Sequence, residues 1–94
     1  MELRERFEHW LWREIGSVAR PALRKHLVDR DYRLFSCCEH AGICQREVYH
    51  PEKGFFRATG EDDKEALLGI LRQIWLIEAL ESNRSPEVGP AADR

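Results

Sequence analysis

Tyr32-Arg33-Leu34-Phe35-Ser36-Cys37-Cys38-Glu39-His40-Ala41-Gly42-Ile43-Cys44-Gln45-Arg46-Glu47-Val48-Tyr49-His50-Pro51-Glu52-Lys53-Gly54-Phe55-Phe56-Arg57-Ala58-Thr59 is the stretch on which the fold turns. It contains three short runs rich in aromatic and β-branched residues: Tyr32 to Cys38, Ile43 to Tyr49, and Phe55 to Thr59. His40-Ala41-Gly42 separates the first two and reads as a three-residue hairpin loop with glycine at the left-handed position. Pro51-Glu52-Lys53-Gly54 separates the second and third, with proline presetting the turn and glycine closing it. The expectation is a three-stranded antiparallel meander. If each glycine forms the bulge of its turn, Cys38 lies opposite Cys44, Leu34 opposite Val48, and Val48 opposite Phe56. One face then carries Leu34, Cys38, Cys44, Val48, Phe56 and Ala58, with Arg46 as its odd polar member. The other carries Arg33, Phe35, Cys37, Gln45, Glu47, Tyr49, Phe55 and Arg57. A slip of one residue would exchange the two faces, because side chains alternate along a strand.

Upstream, Glu2 to Val18 reads as a helix whose apolar stripe is Leu3, Phe7, Trp10, Leu11, Ile15 and Val18, with Trp12 off it. Gly16-Ser17 weakens its end, and Pro21 suits the first turn of a second, short helix to about Val28. That helix would bury Leu23 and Leu27 and expose Arg24, Lys25 and His26. Downstream, Asp62 as N-cap with Glu65 three residues on is a capping-box arrangement, and it starts a long helix expected to end near Glu81 or Ser82. Leu67, Ile70, Leu71, Ile74 and Ile77 make its core stripe. Leu68, Trp75, Leu76 and Ala79 point elsewhere, either under the first helix or into a two-fold pairing with a second copy. The expected fold class is α+β in the order α-α-β-β-β-α, with one domain over residues 1–82 and a flexible tail over residues 83–94 rich in Ser, Pro, Gly and Ala.

Composition narrows the function classes. The chain of 94 residues has 15 basic and 17 acidic side chains, a formal charge of -2, which removes the broad electrostatic case for a nucleic-acid binder. The alternating charges of Glu2 to Arg6 lack the apolar segment of a secretory signal, so a cytoplasmic protein is expected. Three cysteines fit thiols or metal ligands in a reducing compartment better than a disulfide framework.

Three groupings carry candidate chemistry. Cys38, His40 and Cys44 would converge at the first hairpin and suit zinc, with His50, Cys37 or His9 as a fourth ligand. Their spacing matches no paired-cysteine zinc pattern, and the alternative is small buried thiols beside an exposed turn histidine. A cysteine nucleophile with a histidine base lacks an orienting group nearby, so no catalytic residue and no enzyme activity are expected. Phe35, Tyr49 and Phe55, flanked by Arg33 and Arg57, form a candidate partner surface, to which Arg24 and Lys25 of the basic segment from Arg20 to Arg33 add charge. Such a set could stack single-stranded bases, unless the first helix covers it.

The strand and helix order over Tyr32 to Leu80 resembles that of the double-stranded-RNA-binding domain. That family meets phosphates with a lysine-rich start to its last helix. The matching stretch here is Glu61-Asp62-Asp63-Lys64-Glu65, which would repel a phosphate backbone. The expected function is therefore a small regulatory or inhibitory module that occupies a surface on another protein, with no cofactor, as a phage-type inhibitor of a host defence complex would. A nucleic-acid-associated module and a small structural zinc protein are the alternatives.

Overall fold

The computed structural model describes the backbone of residues 2–35 and 38–92 and the side chains of residues 2–35 and 39–81. The elements run α1 (Leu3–Glu14), α2 (Arg20–Asp29), β1 (Arg33–Leu34), β2 (Cys38–His40), β3 (Ile43–His50), β4 (Gly54–Gly60) and α3 (Asp63–Ala92). The fold is α+β, with the strands in one antiparallel sheet.

β3 is the spine of that sheet. β4 pairs along one side of it, while β1 and β2 follow one another along the other. The single first strand expected from the sequence is thus divided into two short pieces. Leu34 lies opposite Val48, and Val48 opposite Phe56, as the alternation requires. Cys38, however, lies opposite Gln45 rather than Cys44. Between Leu34 and Cys38 the chain uses one residue more than β3 uses between Val48 and Gln45. The hairpin itself is tighter than expected. His40 pairs with Ile43, leaving Ala41 and Gly42 as a two-residue turn with φ of 53° and 76°. Two successive left-handed residues define the type I′ turn, whose twist matches that of the flanking strands. The register of β2 on β3 is therefore shifted by one residue from the expected one.

β3 alternates cleanly, with Cys44, Arg46, Val48 and His50 buried. α3 lies over this face through Ala66, Leu67, Ile70, Leu71 and Ile74. Phe7 and Leu11 of α1 and Leu23 and Leu27 of α2 join Val48 and Phe56 in the same cluster, so all three helices occupy one side of the sheet. Burial of each large side chain there contributes about 1.5–3 kcal/mol. Gly69 allows the close approach of α3 to β4: a Cβ at this position would lie 2.9 Å from that of Ala58.

Helix ends follow local chemistry. Glu65 donates its N–H to Asp62 Oδ1 at 2.8 Å, as the capping box requires. In return Glu61 donates its N–H to Glu65 Oε1 at 3.2 Å, one residue earlier than the standard box. α1 stops at Glu14, short of Val18, because Gly16 turns left-handed at φ 74° and its N–H bonds the Leu11 carbonyl at 3.0 Å.

Two burial expectations are corrected. Ile77 is 37% exposed, because beyond Ile74 the helix has passed the sheet and Glu78 faces the β3–β4 turn, where it pairs with Lys53 at 2.8 Å. His26 is buried, because the Trp10 ring of α1 packs edge-on against it at 5.5 Å. α3 continues as helix to Ala92, past the expected end near Ser82, and the side chains of the expected tail lie outside those described. Among the described residues no helix is long and apolar enough to cross a membrane.

Candidate functional site

With the helices all on one side, the other face of the sheet is open to solvent. Alternation places Ile43, Gln45, Glu47 and Tyr49 of β3 on it, together with Phe55, Arg57 and Thr59 of β4. Phe35, between β1 and β2, joins them. Its ring stacks on Phe55 with centroids 6.1 Å apart and planes inclined by 25°, and Tyr49 lies 4.8 Å from Phe55. Phe55 is 64% exposed and Phe35 44%. Arg33 pairs with Tyr49 across the strands, so it borders the same trio. Five of the residues expected to meet a partner, Arg33, Phe35, Tyr49, Phe55 and Arg57, are therefore contiguous. α1 does not cover them; its Phe7 and Leu11 are spent in the core.

Phe35 is held in place by two main-chain bonds. Its N–H donates to the Glu47 carbonyl at 3.0 Å, and its carbonyl accepts from Arg46 Nη1. Arg46 reaches it from the buried face, with Nε 2.8 Å and Nη2 2.7 Å from Asp63 Oδ1 at the start of α3. The arginine that breaks the apolar pattern is thus a brace between the interrupted strand and the long helix. Its signal in the sequence was an arginine at a core-parity position; the partner carboxylate 17 residues on carried none.

On the open face Arg57 donates through Nε and Nη2 to Glu47 Oε2 at 3.0 and 2.8 Å, while Arg33 makes no ion pair among the described residues. Arg24 and Lys25 belong to α2 and lie in the helix layer, apart from the aromatic trio. Lys25 is further engaged with Asp29 at 2.7 Å, and that bond lowers the Asp29 pKa.

The hairpin does not assemble the expected metal set on one face. His40 is exposed and pairs with Ile43, while Cys44 faces the buried side. Register puts Cys38 opposite Gln45, and its side chain lies outside those described. Cys44 is disulfide-bonded, which corrects the expectation of thiols alone. A sulfur in a disulfide is not a thiolate and offers no zinc ligand until it is reduced. His50 uses Nδ1 to accept the N–H groups of Glu52 at 3.1 Å and Lys53 at 3.2 Å, which shapes the second turn. His9 sits on the solvent side of α1. Among the described residues no three His, Cys, Asp or Glu side chains group as a metal site.

Of the residues set aside for self-association, Leu68 and Trp75 pack against the core cluster, and Trp75 meets Phe7 at 5.6 Å. Leu76 and Ala79 are half-buried, and Ile77 and Leu80 are the exposed apolar residues of that helix among those described.

Comparison with protein-family models, curated proteins and solved structures finds no match to this chain.

Proposed function

We propose that this chain is a non-enzymatic protein-binding module, regulatory or inhibitory in role, whose docking surface is the open face of the sheet. The observation that carries the reading is the exposed Phe35–Tyr49–Phe55 cluster on a face no helix covers. Preorganised aromatic rings supply large contact area at low entropic cost, and such rings dominate the energetics of protein interfaces. The charge pattern favours a protein over a nucleic acid: Glu47 neutralises Arg57, which leaves Arg33 beside the rings without an ion pair among the described residues, whereas strand-binding grooves keep a row of free cations along the backbone path.

Substitution separates the two. Phe55→Ser and Tyr49→Ser alter exposed or half-exposed positions and leave the core intact. Both should retain the wild-type melting temperature yet lose the stoichiometric partner that a tagged chain retains through a high-salt wash. A labelled single-stranded oligonucleotide should show no anisotropy change at low salt. Oligonucleotide binding that weakens steeply with salt, and that the same substitutions abolish, would replace this reading with the nucleic-acid one.

A further inference from the structure

The open face ends at an open edge. Phe35 donates to the Glu47 carbonyl, so the odd-numbered residues of β3 turn their main-chain groups toward β1 and the even-numbered ones toward β4. In β4 the even-numbered residues consequently face β3, while Phe55, Arg57 and Thr59 direct N–H and C=O outward. The outward sense is visible at Arg57, whose carbonyl is reached by Gln73 Nε2 of α3 at 2.7 Å. That carbonyl has a second lone pair, and the other five groups of the three residues point along the unpaired side of the strand.

Beneath this edge, on the helix side, lies a groove of about 460 Å³ between α1 and α3 that opens at Thr59. Its floor is apolar, formed by Phe7, Leu11, Val18 and Leu68. Gly69 and Trp12, the tryptophan off the stripe of α1, complete its lining. Arg4, Arg72 and Glu8 border it and make no ion pair among the described residues, whereas Glu65 is occupied by the cap of α3, so one positive charge is in excess.

We propose that an extended segment of a partner protein adds to the sheet along β4, as a further antiparallel or parallel strand. This rests on the protein-binding reading above and specifies how the partner docks. Main-chain groups of Phe55, Arg57 and Thr59 supply the affinity common to any extended chain, and alternate side chains supply the selectivity. One set of side chains enters the apolar groove, and a carboxylate among them meets Arg72 or Arg4. The other set continues the aromatic surface beside Phe55. The ligand class is therefore an extended peptide, apolar at alternate positions, that carries an acidic residue.

The test uses the full chain and a random dodecapeptide display library as the probe. Enriched peptides should alternate apolar and polar residues, include an acid, and on binding slow amide exchange at Phe55, Arg57 and Thr59. Arg72→Glu, at an exposed position, should weaken them about tenfold. Thr59→Pro removes an outward N–H that β3 does not use and should do the same; if it unfolds the chain, Arg72→Glu and the exchange pattern still decide. Peptides that need Phe35 and Tyr49 but leave the β4 amides exchanging freely would overturn strand addition and leave the docking face standing. Failure to enrich any peptide would also overturn it. Concentration-dependent doubling of the mass of the protein alone, with the same three amides protected, would assign the edge to a second copy instead.

Discussion

Arg46 stands where alternation along β3 calls for an apolar side chain, and removing its partner tests whether it braces the fold. The side chains of Arg46 and Asp63 are 7% and 12% exposed, with Nη2 2.7 Å from Oδ1. At that distance and an effective dielectric of about 20, the attraction is roughly 6 kcal/mol, which the desolvation of two ions largely offsets. The net worth of the pair is therefore small, but the cost of breaking it depends on which side is removed. Asp63→Ala strands a guanidinium in the core and should cost about 3–5 kcal/mol. For a chain of this size that lowers the melting temperature by at least about 12 °C. Arg46→Met removes the buried charge and leaves Asp63 near water, with Arg20 3.6 Å away. Its cost is the orphaned Phe35 carbonyl, about 1–3 kcal/mol. The double variant should be no less stable than Asp63→Ala alone, since no unpaired cation remains. Urea denaturation followed by circular dichroism gives all three values. If Asp63→Ala costs less than about 1 kcal/mol, the pair behaves as an exposed one and the brace is refuted.

Three further outcomes follow from the geometry. Burial, with Arg30 nearby, lowers the His26 pKa below its ordinary 6.5; the unfolded chain then binds the proton first. Stability should be complete above pH 6.5 and fall as pH drops toward the folded value, and His26→Phe should flatten that slope in a series of thermal melts. Ala41 holds a left-handed φ of 53°, so Ala41→Asn, which makes the Asn-Gly of a type I′ turn, should stabilise the chain by roughly 1 kcal/mol; a loss would mean the turn is not of that type. Reducing the Cys44 disulfide should lower the melting temperature, because a cross-link restricts the unfolded chain. The hairpin's zinc reading survives only if the reduced protein then retains stoichiometric zinc on elemental analysis and regains stability with it.

The positions of the turns, the three helices and the pairing of Val48 with Leu34 and Phe56 were legible in the chain. Glycine and proline restrict φ locally, and the apolar period reports which side of each element is hidden. The aromatic trio was legible too, because strand parity alone places Phe35, Tyr49 and Phe55 together. The register of β2 on β3 was not, since a two-residue and a three-residue turn over His40-Ala41-Gly42 differ by one register step that composition does not weigh.

Residues a few positions apart thus determine where this chain turns, what each segment becomes and which side chains share a face. Tertiary packing alone decided which sheet face stays open, that α1 shelters Leu68 and Trp75, and that Arg46 meets Asp63. Those outcomes depend on how α1, α2 and α3 divide one side of the sheet among them. That division is settled by contacts between residues far apart in the chain, where the local period of either partner is silent.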